Sequence, residues 1–449
     1  MRAALSLAKL DQSTNRPGDA HAVLAPALEG FAPTPEMPEI AEAQALLAAL
    51  AETDEVKAEA ARRQRQAQLQ VAYGNALIAA RGFGAPETNE AFTRVREAAF
   101  GEKDAPERLA ADFGLWAGSY TRGELASMRT HAADFLADVA TRLDSPEAGV
   151  AHRAQGVTHW FAGEFLLARD HLERALALFQ PGRDDDLAYR FGMDPGVPAM
   201  IYLGLTVWVL GETDRAVSLI ERARERVASL THAHTLALGT MQAAFFELMR
   251  GDRSRARTDA SNLCRIVREH DLRLFRAFGV FLEGWLDADS GALDEGLEGM
   301  RRGAENLREQ NALVLDGLIK MALSELEARA GKPERAVAVL DDALATAERL
   351  GFRAFEAELH RARGELLLGR DADNLKLDEE AFQTAIAVAK QQGARSFELR
   401  AALALAKLYQ SNGRRAEAHA VLAPALEGFA PTSEMPEVAE AMSLSARLA

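Results

Sequence analysis

Apolar residues recur every three to four positions along most of the chain, with polar residues between them. AMIYLGLTVWVLG (199–211) and ETDRAVSLIERARERV (212–227) show the pattern. That period marks one face of an α-helix. Alternation with period two is absent, so strands are not expected. The helical segments come in pairs with a glycine between them, at Gly82, Gly123, Gly163, Gly211, Gly251, Gly291, Gly331 and Gly413. The spacings are 41, 40, 48, 40, 40, 40 and 82, the last with Gly369 near its midpoint. A glycine between two helices suits the left-handed backbone that ends the first. Five positions later stands a small residue: Ala168, Ala216, Ala256, Gly296, Ala336, Ala418. Seven positions earlier small residues also dominate: Gly156, Gly204, Ala244, Gly284, Ser324, Ala406. They let two backbones approach, and Leu172, Ile220, Met300, Leu340 and Leu422, nine after the glycine, plug the layer. Such a hairpin cannot bury its apolar face alone, whereas stacked hairpins share a continuous core. The pattern predicts an all-α solenoid of about 40 residues per repeat, with roughly 18 to 20 helices in nine or ten hairpins.

Two links are irregular. QPGRDDDLAYRFGMDPGVP (180–198) carries the surplus between Gly163 and Gly211, and GRDADNLKLDEE (369–380) is polar. Both compositions predict loops. Residues 2–43 also repeat residues 400–441 without a gap, with 33 of 42 positions identical. Asn15 stands where the copy has Gly413, and Asn tolerates the left-handed conformation, so the turn is expected to survive. The chain therefore divides into 1–50, a copy of the C-terminal hairpin that caps or extends the array, and 51–449, the solenoid itself. The copy is either a simple duplication or an end-to-end contact that makes a homo-oligomer through the terminal hairpins.

Charge and composition narrow the function. The balance is 52 basic against 67 acidic residues, a net charge of -15. Affinity for nucleic acid rests on neutralising phosphates, so a nucleic-acid partner is not expected. One cysteine, Cys264, excludes a disulfide framework and a cysteine cluster for metal. The longest uncharged run, 195–211, has 17 residues and two prolines, which reads as a buried helix and not a membrane span. The start, MRAALSLAKLDQSTN, is broken by Lys9 and Asp11 and does not read as a signal peptide. A cytoplasmic protein is expected. Phosphate-loop, dinucleotide and metalloprotease signatures are missing: Gly331-Lys332 is followed by Pro333, and His232 and His234 are two apart. The acidic runs Asp184–Asp186 and Glu379-Glu380 read as solvated. No catalytic residue, cofactor or metal is expected.

Binding is expected on the concave face, which the first helix of each hairpin builds. Three positions before the turn glycines stand Tyr120, Trp160 and Trp208; six before, Phe245 and Trp285; ten before, Phe113 and Phe281. These offsets share one helical face. The stripe is either inter-helix core or a groove for an amphipathic peptide or an apolar effector, with aromatic rings as anchors. Arg153 beside the stripe and Arg190 near the long loop would meet a carboxylate, and Asp194 is a second loop candidate.

The repeat of small residue, turn glycine, alanine and aliphatic plug resembles the tetratricopeptide repeat (TPR), in a longer version. LQVAYGNALIAARGFGAPET (69–88), FGLWAGSYTRGEL (113–125), YRFGMDPGV (189–197), FEAELHRARGELLL (355–368) and ARSFELRAALALAKLY (394–409) resemble the C-terminal helical-repeat region of bacterial class III adenylate/guanylate cyclase-like proteins that carry an ATPase module. The resemblance implies a right-handed α-solenoid of TPR-like hairpins with a regulatory, non-enzymatic role in signalling. Two functions are consistent with it. One is an interaction module for a peptide or partner protein. The other is an effector-sensing domain of a cyclase- or ATPase-type regulator.

Overall fold

A computed structural model describes residues 2–29, 31, 38–51, 53–99, 105–368, 375–431 and 433–448. The described residues form 23 helices and no strand. The surplus over the expected 18 to 20 has a local origin. A five-residue helix, Leu187–Phe191, sits inside the long loop, and single helices Pro38–Ala51 and Pro436–Leu448 follow the two copies of the duplicated hairpin.

Each hairpin is named here by its turn glycine. The Gly123 hairpin pairs Pro106–Arg122 with Leu125–Asp138, and the Gly163 hairpin pairs Pro146–Phe161 with Phe165–Leu178. The Gly211 hairpin joins Gly196–Val209 to Thr213–Ala228, and the Gly251 hairpin joins Ala233–Arg250 to Arg253–Glu269. Arg273–Asp289 and Leu293–Glu309 flank Gly291; Asp316–Arg329 and Pro333–Leu350 flank Gly331. Glu356–Leu368 and Leu375–Gln392 form the next pair, with Gly369 outside the described residues. Arg395–Ser411 and Arg415–Leu426 flank Gly413. Before these lie Arg2–Ser13 and Pro17–Leu28, then Pro38–Ala51, the long helix Asp54–Arg81 and Pro86–Ala98.

The registers read from the sequence do what their sizes allow. A methyl group added at Gly156 would stand 2.6 Å from Cγ of the plug Leu172, and one at Gly284 would stand 2.6 Å from the carbonyl oxygen of Gly296. The small residues and the plugs are thus two sides of one close contact between paired helices. The turn glycines have positive φ, from 73° at Gly331 to 107° at Gly291, and Asn15 holds the same conformation at 61°.

The solenoid coils back onto itself. The lead-in to each hairpin of the second coil lies on the turn of the hairpin five places earlier. Leu313 N–H donates to the Thr121 carbonyl at 3.0 Å, and Arg353 N–H to the Phe161 carbonyl at 2.8 Å. The Ser396 hydroxyl donates to the Trp208 carbonyl, 188 residues away, at 2.5 Å. One hairpin further along, Arg250 meets Glu434 at 3.4 Å, beside the paired hydroxyls of Thr213 and Ser433. Aromatic contacts line this seam: Phe161 stacks on Phe352 at 4.6 Å, Trp160 meets Phe355 at 5.3 Å, and Trp208 meets Phe397 at 5.8 Å. Arg400 lies over the other side of the Trp208 ring at 4.6 Å.

Three glycines carry a double constraint at the seam. A methyl group at Gly123 would stand 3.3 Å from Cβ of Leu313. A methyl group at Gly163 would stand 2.6 Å from Nε2 of Gln392 and 3.2 Å from Cβ of Arg353. One at Gly211 would stand 3.2 Å from Cβ of Arg395. At Gly331 the backbone has the same conformation as at Gly163, with nothing within 4 Å. The comparison yields a test. Gly331→Ala is expected to cost about 1 kcal/mol for the left-handed backbone alone. Gly163→Ala is expected to cost that and roughly 1–3 kcal/mol more for the crowded seam. Denaturant unfolding measures both, and equal losses would show that the seam adds no stability.

Candidate functional site

The structure separates the sequence candidates into two groups. Trp160, Trp208, Phe245, Phe281 and Trp285 are buried in packing. Trp160 and Trp208 are covered by the second coil through Phe355 and Phe397, and Phe245 packs on Phe281 and Phe278. At Trp160 and Trp208 the aromatic stripe is therefore filled by the chain's own next coil. The loop candidates are also engaged. Arg190 pairs with Glu147 at 2.8 Å and lies over Phe191. Asp194 is fully buried; it accepts the N–H groups of Gly196 and Val197 at 3.0 and 2.8 Å and pairs with Arg226 at 2.7 Å. It therefore fastens the loop to the start of Gly196–Val209. The acidic run beside it is not solvated as expected. Asp184 is buried and accepts Gln180 N–H at 2.7 Å, and Asp185 pairs with Arg226.

The remaining candidates, Phe113, Tyr120 and Arg153, come together on the inner face of the first coil. Arg153 is 3% exposed. Its guanidinium lies over the rings of Phe113 at 5.0 Å and Trp116 at 5.8 Å, and Nη1 reaches Met193 Sδ at 3.6 Å. Nε and Nη2 have no hydrogen-bond partner among the described residues. Arg153 and Tyr120 line a cavity of about 50 Å³ with Phe83, Trp116, Met193, Tyr202, His234, Gln242, Phe275 and Phe278. Ala312 and Val314, from the lead-in to the Gly331 hairpin, close it. Both coils therefore contribute to its wall.

Its electrostatics are one-sided. Burial lowers the Arg153 pKa to about 10, so the group is still cationic at neutral pH. Burial, then the neighbouring His232, lowers His234 to about 4, so that ring is neutral. Burial also raises Tyr120 and Tyr202, whose hydroxyls share a hydrogen bond at 2.7 Å. Gln242 lies beside these tyrosines and opposes the rise of both, and its Oε1 lacks a partner among the described residues. Arg153 is thus the one charged side chain among the described residues that line the cavity. An ion out of water costs several kcal/mol unless paired. The two aromatic faces return roughly 2 kcal/mol each when desolvated and leave two N–H donors without a bond.

Tyr202 and Gln242 were not singled out in the sequence. Both stand nine positions before their turn glycines, a register that elsewhere holds Tyr73, Gly114, Ala154, Leu282, Ala322 and Ala404. Arg153 stands in the ten-before register, where the other hairpins carry Phe113, Ile201, Met241, Phe281 and Met321. A polar residue breaking an apolar register was the available signal.

A second cluster of charged groups is paired internally. A cleft of about 580 Å³ includes Arg224, Arg255 and Asp259, but Arg224 already pairs with Glu221, Glu247 and Asp259. Among the described residues no group of three or more His, Cys, Asp or Glu is placed to hold a metal ion. No helix among them is long and apolar enough to cross a membrane.

No family model matches the chain. An uncharacterized protein of Rhizobium meliloti (strain 1021) is 25% identical over 240 residues, which is 53% of this chain and 23% of that protein. The chain thus spans less than a quarter of that relative's length. Among solved structures, a Rap protein complexed with Competence and Sporulation Factor is 13% identical, with 86% of this chain and 98% of that chain covered at a TM-score of 0.42. Yeast Tom70 is 12% identical, with 99% and 95% covered at 0.37. The human IFIT1 dimer with PPP-AAAA is 14% identical, with 94% and 88% covered at 0.42. Likeness at these TM-scores supports no functional statement, and the assignment as a TPR-like α-solenoid rests on the hairpins described above.

A pH effect follows from a histidine pair next to the site's helix. Nδ1 of His152 and Nδ1 of His171 are 2.9 Å apart, with His159 stacked on His171. Burial, then His152 and His159, lowers His171 to about 4. An unfolded histidine titrates near 6.5, so the neutral ring stabilises the fold fully above that value. This contribution is lost as pH falls from 6.5 toward 4. His171→Gln is expected to flatten the fall in melting temperature over that interval relative to wild type.

Proposed function

We propose that the chain is a non-enzymatic regulatory module, a TPR-like solenoid that receives an anionic effector on Arg153 and signals its presence to a protein partner. The observation that carries this reading is the buried guanidinium with two unpaired N–H donors, in a cavity walled by both coils. An anion there would remove the cost of an unpaired buried charge. It would also bridge hairpins that are otherwise joined only at the seam, so binding would alter how firmly the coils hold together.

The client is then a protein acted on in the cytoplasm. The resemblance to cyclase-like proteins with an ATPase module points to an enzyme of that class. Direct binding of a peptide or partner protein is the second reading, and it is favoured by the adjacent Leu166 and Leu167, exposed at 55% and 49%. Self-association through the terminal hairpin is a further proposal. Leu7 and Leu10 are 45% and 55% exposed, whereas their counterparts Leu405 and Leu408 in the copy are 2% and 5% exposed.

Two experiments test these points. Arg153→Met keeps the stem and removes the charge. In a buffer of low ionic strength it is expected to melt at or above the wild-type temperature, and wild type alone is expected to be stabilised by added small anions. A variant that melts lower under all conditions would reduce Arg153 to a structural group. Deleting residues 1–50 is expected to lower the oligomeric mass in light scattering. An unchanged mass would rule out the terminal contact.

A further inference from the structure

We infer that the effector is a small monocarboxylate carrying a hydroxyl donor beside its carboxylate, held by Arg153 and Gln242. The inference rests on the reading above that Arg153 receives an anion.

Three observations narrow the ligand. First, Nε and Nη2, the two unpaired donors, belong to one edge of the planar guanidinium, where two N–H bonds run parallel. That edge matches the two oxygens of a carboxylate in a bidentate pair. Nη1 is turned to Met193 and does not compete.

Second, the site offers a single positive charge. The rest of the wall is Phe, Trp, Tyr, Met and neutral His234. A monoanion balances Arg153, whereas a phosphate dianion would leave one buried charge uncompensated. Asp194, the acidic group acting on Arg153, is already committed to Arg226 and two backbone N–H groups. The volume of about 50 Å³ admits only a few heavy atoms, well below the roughly 150 Å³ that accommodates a benzene ring.

Third, Gln242 Oε1 is an acceptor without a partner, while its amide works against the Tyr120–Tyr202 pair. A buried acceptor in this state selects a ligand that brings an O–H or N–H, because a ligand without one leaves it unsatisfied. A carboxylate and a hydroxyl on one short molecule, as in a 2-hydroxy acid, answer both groups.

The test is calorimetric titration of the full chain with glycolate, acetate, inorganic phosphate and uncharged ethylene glycol. Glycolate is expected to bind one to one, roughly tenfold tighter than acetate, with no heat from ethylene glycol. Arg153→Lys keeps the charge but loses the parallel donors, and is expected to weaken glycolate roughly tenfold. Gln242→Leu is expected to bring glycolate and acetate to equal affinity. Hydrogen exchange supplies a readout independent of affinity: glycolate is expected to slow the Leu313 amide, which closes the cavity against Thr121. Phosphate binding that needs Arg153, with neither carboxylate bound, would overturn this inference and leave the anion-sensing reading standing. Binding of none of the anions, or binding indifferent to Arg153→Lys and Arg153→Met, would overturn both.

Discussion

The structure depends on the contact between the turn of one hairpin and the lead-in of the hairpin five places later. In an open solenoid each repeat touches only its neighbours, and stability is a sum of local terms. Here the hydrogen bonds from Leu313 to Thr121 and from Arg353 to Phe161 add a long-range term to that sum. The first coil cannot loosen at one repeat without breaking a contact to the second. The cavity is closed for the same reason: Ala312 and Val314, which complete its wall, sit on the lead-in that this contact holds.

Much of the fold was legible in the spacing of glycines, because a left-handed turn has one cheap occupant and a close helix pair needs small residues at fixed registers. The fit of Leu172 against Gly156 is a local matter, and local matters leave periodic marks. The return after five hairpins left no such mark. It follows from the small rotation between successive hairpins, which many side chains set together. That is why Trp160 and Trp208 read as a groove or as core with equal ease: their partners Phe355 and Phe397 lie on a different coil. The site was half visible. Arg153 was noticed, but Tyr202 and Gln242 belong to it only because the first helices of successive hairpins converge on the coil axis.

The duplicated hairpin shows how neighbours decide what a residue does. The buried set Leu5, Ala8, Ala20 and Leu24 repeats as Leu403, Ala406, Ala418 and Leu422, so the two copies share one internal packing. They differ where other elements meet them. Asp11 is buried against Arg16 at 2.5 Å. Its counterpart Tyr409 donates to Glu379 at 2.7 Å and has Arg414 over its ring at 4.0 Å.

The five-hairpin return also limits how such a chain can change in length. A surplus within a loop, as between Gly163 and Gly211, leaves the partners of every turn unaltered. Gain or loss of one whole hairpin between Thr121 and Glu434 would re-pair each earlier turn whose lead-in lies beyond the change with one shaped for its neighbour. On loss of a hairpin between them, Gly163 would face Arg395 and Ser396 in place of Arg353. Growth by whole repeats is tolerated only outside that interval, and residues 2–43 lie there.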